Sequence, residues 1–272
     1  MPIFILALIF ALFQSDAFAA CEPRLQTLSG VKAKTYAPAA LAGKKASAIL
    51  ILPTILGETR VERGFATSLC RAGFRALILD VTKDTTPEYE IENLTTHDES
   101  FAFALTSVQA VLAVLKTDTT LSGKFGLMGA SQGGLFSTYV AGSEPAISAS
   151  VIIVGAGNLP GVLTYSDQKG VKAIRDARKA RLNIRTSVEY EGVLKQAITL
   201  DPLSAARNIA PDAAYLFVAT RDTTVPSRYQ LELAETVAGA RVRKMDTNHV
   251  NGIIRAGKTY GKDITNYFKE KL

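Results

Sequence analysis

Apolar residues in this chain follow two rhythms that take turns. Apolar runs within residues 46–52, 75–80, 147–154 and 214–219 have the unbroken character of strands buried on both faces. Runs at 31–36 and 240–245 also read as strands, and residues 22–45 predict one or two entry strands. Elsewhere the apolar residues return at helical spacing. Over 100–116, Phe101, Leu105, Val108, Val111, Leu112 and Leu115 share one helix face. A second helix is predicted over 59–72. Thr96-His-Asp-Glu99 has the form of a capping box, in which Thr96 bonds the amide three residues on and Glu99 reaches back. His97 then reads as a helix-start residue, and 81–95 as loop. Strands alternating with helices predict an α/β domain.

Residues 160–205 lack strand character and predict a mostly helical insertion, charged over 169–185 and more apolar after Val193. Seven Lys and Arg residues between Lys169 and Arg185 face a single acid, Asp176. Two readings stand: a solvated helix face, or a surface that guides anionic substrates or rests on anionic lipid. The preceding Gly155-Ala-Gly-Asn-Leu-Pro-Gly161 imitates a dinucleotide-binding loop. Pro160 interrupts it, Asp176 sits in a charged helix rather than at a strand end, and no βαβ unit follows, so no cofactor is expected there.

The N-terminus has its own pattern. Residues 2–13 are unbroken apolar sequence, and Ala17-Phe-Ala-Ala20 follows. This predicts a signal peptide over 1–19 with cleavage after Ala19, leaving a domain over 20–272 exported to the periplasm or the exterior. A bilayer span needs about 20 apolar residues. No Lys or Arg precedes the run, and an uncleaved anchor is the alternative. Cys21 follows at the position of a lipobox cysteine, with Phe18 in place of the usual Leu. The other cysteine is Cys70. An exported chain permits a bridge between the two, and neither has zinc-ligand spacing.

At 272 residues with 47% hydrophobic and 21% charged residues, the chain has an ordinary globular composition. The formal net charge of +6 becomes +7 without residues 1–19, because Asp16 is their only charged residue. No nucleic-acid-binding motif is present, and tryptophan is absent. Membrane contact is expected only through lipid on Cys21 or through the basic insertion, and the oligomeric state is open.

The candidate chemistry centres on Gly129-Ala-Ser-Gln-Gly133, which closes an apolar strand and opens a helix. G-x-S-x-G in that setting is a nucleophile elbow. A sharp turn holds the serine in a strained conformation, side chains at either glycine would collide with backbone, and the Gln132 amide is left facing a developing oxyanion. His249 follows the last strand and suits a general base, since a histidine near its ordinary pKa of about 6.5 trades protons near neutral pH. Asp222 lies just past the 214–219 strand and suits the acid that orients it; Asp246 is the reserve. The chain order Ser131, Asp222, His249 is that of the α/β-hydrolases.

On these motifs, and on Arg221-Asp-Thr-Thr-Val-Pro226 and Thr247-Asn-His249, the chain resembles the α/β-hydrolase superfamily over residues 45–272, most closely its esterase and dienelactone-hydrolase-like branch. The resemblance implies a mostly parallel central sheet with helices on both faces, and a lid or cap at 160–205. It also implies a second oxyanion donor just after the early strand, carried here to Ile55 with Thr54 as alternative. Dienelactone hydrolases have cysteine where this chain has Ser131, which favours ordinary ester hydrolysis over lactone chemistry. The implied activity is an exported carboxylesterase acting on a small-molecule ester without metal or cofactor. Peptidase, thioesterase or acyltransferase use of the same residues, a binding protein on a hydrolase scaffold, and a lipid-associated protein are the rivals.

Overall fold

The computed structural model describes residues 21–38, 45–83 and 85–272. The leader expected over 1–19 lies outside the described residues. The strands are β1 (Pro23–Leu28), β2 (Val31–Tyr36), β3 (Ala46–Leu52), β4 (Arg75–Leu79), β5 (Leu121–Ala130), β6 (Ile147–Ile153), β7 (Ala214–Ala219) and β8 (Arg241–Met245). The helices are α1 (Arg60–Arg71), α2 (Pro87–Glu92), α3 (Thr96–Leu115), α4 (Gln132–Ser143), α5 (Leu159–Tyr165), α6 (Lys169–Arg181), α7 (Ser187–Ala197), α8 (Pro202–Ala206), α9 (Ser227–Thr236) and α10 (His249–Lys271).

All the strands join one sheet in the order β1-β2-β4-β3-β5-β6-β7-β8. The two entry strands pair antiparallel with each other and with β4. From β4 to β8 every pairing is parallel. Burial follows from this plan. β3 and β7 are buried at every position, whereas the edge strand β1 is exposed along almost all of its length.

The two-residue period of a strand divides the core between the faces. Leu50, Leu52, Leu77 and Leu127 pack with Val108, Val111 and Leu112 of α3 and Phe136 of α4. Ile49, Ile51, Ile78 and Met128 pack on the other side with Phe65 and Leu69 of α1 and Tyr267 and Phe268 of α10. The C-terminal ends of β3, β5 and β7 and the turn after β8 therefore gather along one edge, each followed by a loop that leads into a helix.

The expected capping box at Thr96 does not form. α3 begins at Thr96 itself, one residue after its cap Thr95. The Thr96 hydroxyl donates back to Asn93 O at 2.6 Å, and the Glu99 carboxylate is taken by Lys83 and the Tyr89 hydroxyl. A capping box forms instead at the start of α1, between Thr59 and Glu62. The stretch expected to be loop contains α2, started by Pro87 and by Thr86, whose hydroxyl accepts from Tyr89 N–H.

The stretch over 160–205 is helical, formed by α5 to α8 between β6 and β7. Its basic residues are not all solvated. Arg178 is fully buried and donates to Glu90 O and Asn93 O, at the C-terminal end of α2, where the carbonyls lack helical partners. Arg175 donates to Thr164 O and Ser166 O at 2.9 and 2.8 Å. Two of the seven cations are thus internal staples.

Cys21 and Cys70 form a disulfide with their Cα atoms 5.6 Å apart and a sequence separation of 49. The bridge ties the start of the described chain to α1. Closing a loop of that length restricts the unfolded chain, a contribution of about 2–4 kcal/mol. Reduction is therefore expected to lower the thermal midpoint by several degrees in calorimetry, with Cys70→Ala behaving alike whether or not reductant is present. A reductant-insensitive midpoint in the parent protein would contradict this contribution.

Candidate active site

β5 ends at Ala130 and α4 begins at Gln132, so the backbone reverses through Ser131 alone. Its φ of 56° and ψ of −121° lie outside the regions that L residues favour. Neighbouring atoms explain the flanking glycines. A Cβ on Gly129 would sit 2.2 Å from Gly133 O, and one on Gly133 would sit 2.1 Å from Leu52 O. Both obstacles are backbone, so no rotamer change relieves them. Gly133→Ala is accordingly expected to destabilise the fold by about 1–3 kcal/mol or more through overpacking. Urea unfolding reads this directly, and an unchanged midpoint would contradict the close approach of α4 to β3.

His249 is the first residue of α10. Asn248 caps that helix, its side chain accepting from Asn251 N–H at 3.1 Å, and so fixes where the imidazole emerges. His249 Nε2 lies 2.9 Å from Ser131 Oγ, and His249 Nδ1 lies 2.7 Å from Asp222 Oδ2. A carboxylate only accepts, so Nδ1 carries the hydrogen and Nε2 is the free acceptor facing the serine hydroxyl.

Asp222 follows β7 and is buried. Its Oδ1 accepts from Thr224 N–H at 2.9 Å and Val225 N–H at 3.0 Å. Its Oδ2 accepts from His249 and from Gln230 Nε2, the latter at 2.8 Å. The reserve acid does not join this group: Asp246 is exposed and pairs with Arg221 at 2.9 Å. The imidazole bonded to Ser131 is that of His249, and His97 sits in the first turn of α3. It keeps a solvent-facing edge, but the surrounding protein and, secondly, the Arg178 guanidinium push its pKa down to about 4.

The loop after β3 distinguishes the two oxyanion candidates. Thr54 is committed on both sides: its N–H donates to Glu62 Oε1 at 3.3 Å, and its carbonyl accepts from Gly57 N–H at 2.9 Å. Glu62 is buried and also accepts from Thr59 N–H at 2.8 Å. Among the described residues, no hydrogen bond is formed by the backbone N–H of Ile55 or of Gln132. Ile55 is 57% exposed, and with Leu56 beside it gives the loop an apolar tip.

The arrangement can therefore raise the nucleophilicity of one hydroxyl, with a base behind it and a fixed carboxylate behind the base. Among the described residues, no three His, Cys, Asp or Glu side chains are grouped as a metal would require. Two contributors, Glu62 and Gln230, were not expected from the sequence. Gln230 was accessible in principle, since it lies on the buried stripe of α9 with Leu233, where an amide needs partners.

Comparison with known proteins gives the wider setting. The model of the dienelactone hydrolase family matches residues 32–245. Comparison with curated protein sequences gives no match. Among solved structures, Est1E from Butyrivibrio proteoclasticus is similar with a TM-score of 0.64 and 15% identity, covering 92% of this chain and 98% of that one. The Pyrococcus furiosus esterase Pf2001 gives 0.60 at 17% identity, covering 92% and 93%. The Pyrococcus horikoshii acylaminoacyl peptidase gives 0.68 at 15% identity, covering 94% of this chain but 42% of that one. At these identities the likeness establishes the α/β-hydrolase fold.

Proposed function

The chain belongs to the dienelactone hydrolase family, and we propose that within it this hydrolase is a serine enzyme that cleaves carboxylic esters through an acyl-enzyme. The observation that carries the reading is the unbroken relay from Asp222 through His249 to Ser131, with contacts of 2.7 and 2.9 Å. Ser131 Oγ attacks the acyl carbonyl while His249 Nε2 takes its proton. Asp222 stabilises the imidazolium so formed and keeps Nδ1 protonated. The tetrahedral oxyanion is received by the Gln132 and Ile55 amides, a contribution of roughly 10²–10³ in kcat per donor in comparable sites. His249 then protonates the leaving alcohol, and water repeats the sequence in reverse to release the acid.

The helical stretch after β6 fits the role of a cap. It is fastened to the loop that carries Asp222: Ser166 Oγ donates to Thr224 O at 2.6 Å, and Asp167 N–H donates to Thr223 O at 3.0 Å. Substrate selection would then reside between these helices and the apolar tip at Ile55 and Leu56.

Export belongs to the same proposal. The apolar leader pattern at 1–19 and a disulfide in the fold both suit an oxidising compartment. A Cys21 thiol bonded to Cys70 is not free to carry a thioether-linked lipid, which favours a soluble periplasmic or secreted form over an anchored one.

A panel of chromogenic esters, thioesters and anilides tests the reaction class. The ester series is expected to give the highest kcat/KM, with a maximum at one acyl length set by the cap. Faster turnover of the anilides would move the assignment to peptide chemistry.

A further inference from the structure

Behind the relay stands a side chain whose part in it is not evident from its type. Gln230 has no exposed surface and lies on α9, eight residues after Asp222. We propose that Gln230 is a positioning residue that holds the Asp222 carboxylate in the orientation from which it reaches His249. The inference rests on the serine-hydrolase reading above.

The geometry leaves Gln230 one orientation. Its Oε1 accepts from Ala219 N–H at 3.0 Å, while its Nε2 donates to Asp222 Oδ2 at 2.8 Å and to Val225 O at 2.7 Å. A flipped amide would set its oxygen against two acceptors and its nitrogen against a donor. All its hydrogen-bonding partners are therefore used within one turn of chain, from the last residue of β7 to the start of α9.

Asp222 needs this second support. The Thr224 and Val225 amides hold Oδ1 only. Concerted rotation about the Cα–Cβ and Cβ–Cγ bonds, pivoting on Oδ1, would keep that oxygen near those amides and carry Oδ2 away from the imidazole. Gln230 grips Oδ2 itself, so the four donors together saturate the four lone-pair directions of the carboxylate. The same side chain pins Ala219, whose strand pairs with Met245 at the end of β8, four residues before His249. Gln230 thus fixes the acid relative to the strand end that launches the base.

Two substitutions test this. Gln230→Leu keeps much of the volume and removes every bond. Gln230→Glu keeps the length and, when protonated, can donate to Asp222 and accept from Ala219. Two carboxylates in contact retain a shared proton and repel once it is lost. The ionisable groups bearing on position 230 are Asp222 and His249; on α9 itself, Arg228 is stacked over Tyr165 and Tyr229, and Glu232 is bound to Asn158.

For the parent protein, kcat/KM is expected to stay level towards alkaline pH. Gln230→Glu should gain a descending alkaline limb. Gln230→Leu should lose roughly 10–100-fold in kcat with KM little changed, the size of effect that follows a small misplacement of catalytic groups. A purely structural role would lower thermal stability without changing the shape of the pH profile. A level alkaline profile in Gln230→Glu, or parental kcat in Gln230→Leu, would overturn the proposal.

A second readout needs no turnover. In a Ser131→Ala background, the proton NMR signal of His249 Nδ1–H should shift upfield and broaden when Gln230 becomes Leu, or Glu at alkaline pH. An unchanged signal in both would overturn the positioning role. An inactive parent protein with that signal responsive would count against the ester-hydrolase reading and leave the role of Gln230 standing.

Discussion

Ser131→Ala is expected to reduce ester turnover by about 10⁶-fold in kcat, the loss seen when the nucleophile is removed from comparable relays. The fold should survive, because alanine keeps the same Cβ and loses only Oγ, adding no crowding at a turn already strained to φ 56°. Substrate binding should change little, so KM stays near its parental value while kcat collapses. His249 would keep its bond to Asp222, and the Gln132 and Ile55 amides would keep their places. The residue left is binding without a bond-forming atom. Steady-state kinetics on the best ester of the chromogenic panel, with circular dichroism to verify the fold, reads this prediction. Turnover within tenfold of the parent would remove Ser131 from the reaction.

The second large effect is expected at the acid. Asp222→Asn should lower kcat by about 10⁴-fold, since the loss acts through the histidine tautomer. The environment of Asp222 makes the reason explicit. Every group around its carboxylate is a donor: Thr224 and Val225 N–H on one oxygen, His249 and Gln230 on the other. An asparagine must turn its NH₂ towards one of those pairs. Facing the two backbone amides it meets donors that cannot move. Facing His249 it is accommodated only if the ring presents Nδ1 as acceptor. The hydrogen then sits on Nε2, and the atom facing Ser131 can no longer take a proton. The loss should shrink at high pH, where hydroxide supplants the missing base. A fall of less than tenfold would show that Asp222 does not set the tautomer.

How far the sequence revealed these features depends on how local their causes are. The elbow was legible because its determinants lie within five residues: small side chains where β3 and α4 backbones press in, and a serine between them. The inner parallel strands β3, β4, β6 and β7 were legible because burial on both faces leaves a nearly unbroken apolar run. Thr96-His-Asp-Glu99 misled for the opposite reason. The pattern satisfies the local rule, but Lys83 and Tyr89 arrive from elsewhere in the chain and claim Glu99.

Long-range placement also decides the disulfide. Cys21, whose backbone N–H bonds Ala37 O at 2.9 Å, meets Cys70 where the β1–β2 hairpin closes beside α1. The cations over 169–185 look alike in sequence, yet Arg178 is buried against the end of α2 and Lys169 is exposed. Composition carries no signal for that difference. That Glu62 takes the Thr54 amide, while the Ile55 amide forms no such bond, likewise depends on packing that the sequence does not display.

On the proposed reading this chain holds one activated serine. Labelling with a fluorophosphonate probe, followed by peptide mapping, tests it most directly, because the probe bonds covalently only to a serine whose proton has somewhere to go. Stoichiometric modification at Ser131 is expected, abolished in Ser131→Ala and strongly slowed in Asp222→Asn. Absence of labelling in the folded parent protein, or labelling that persists in Ser131→Ala, would contradict it.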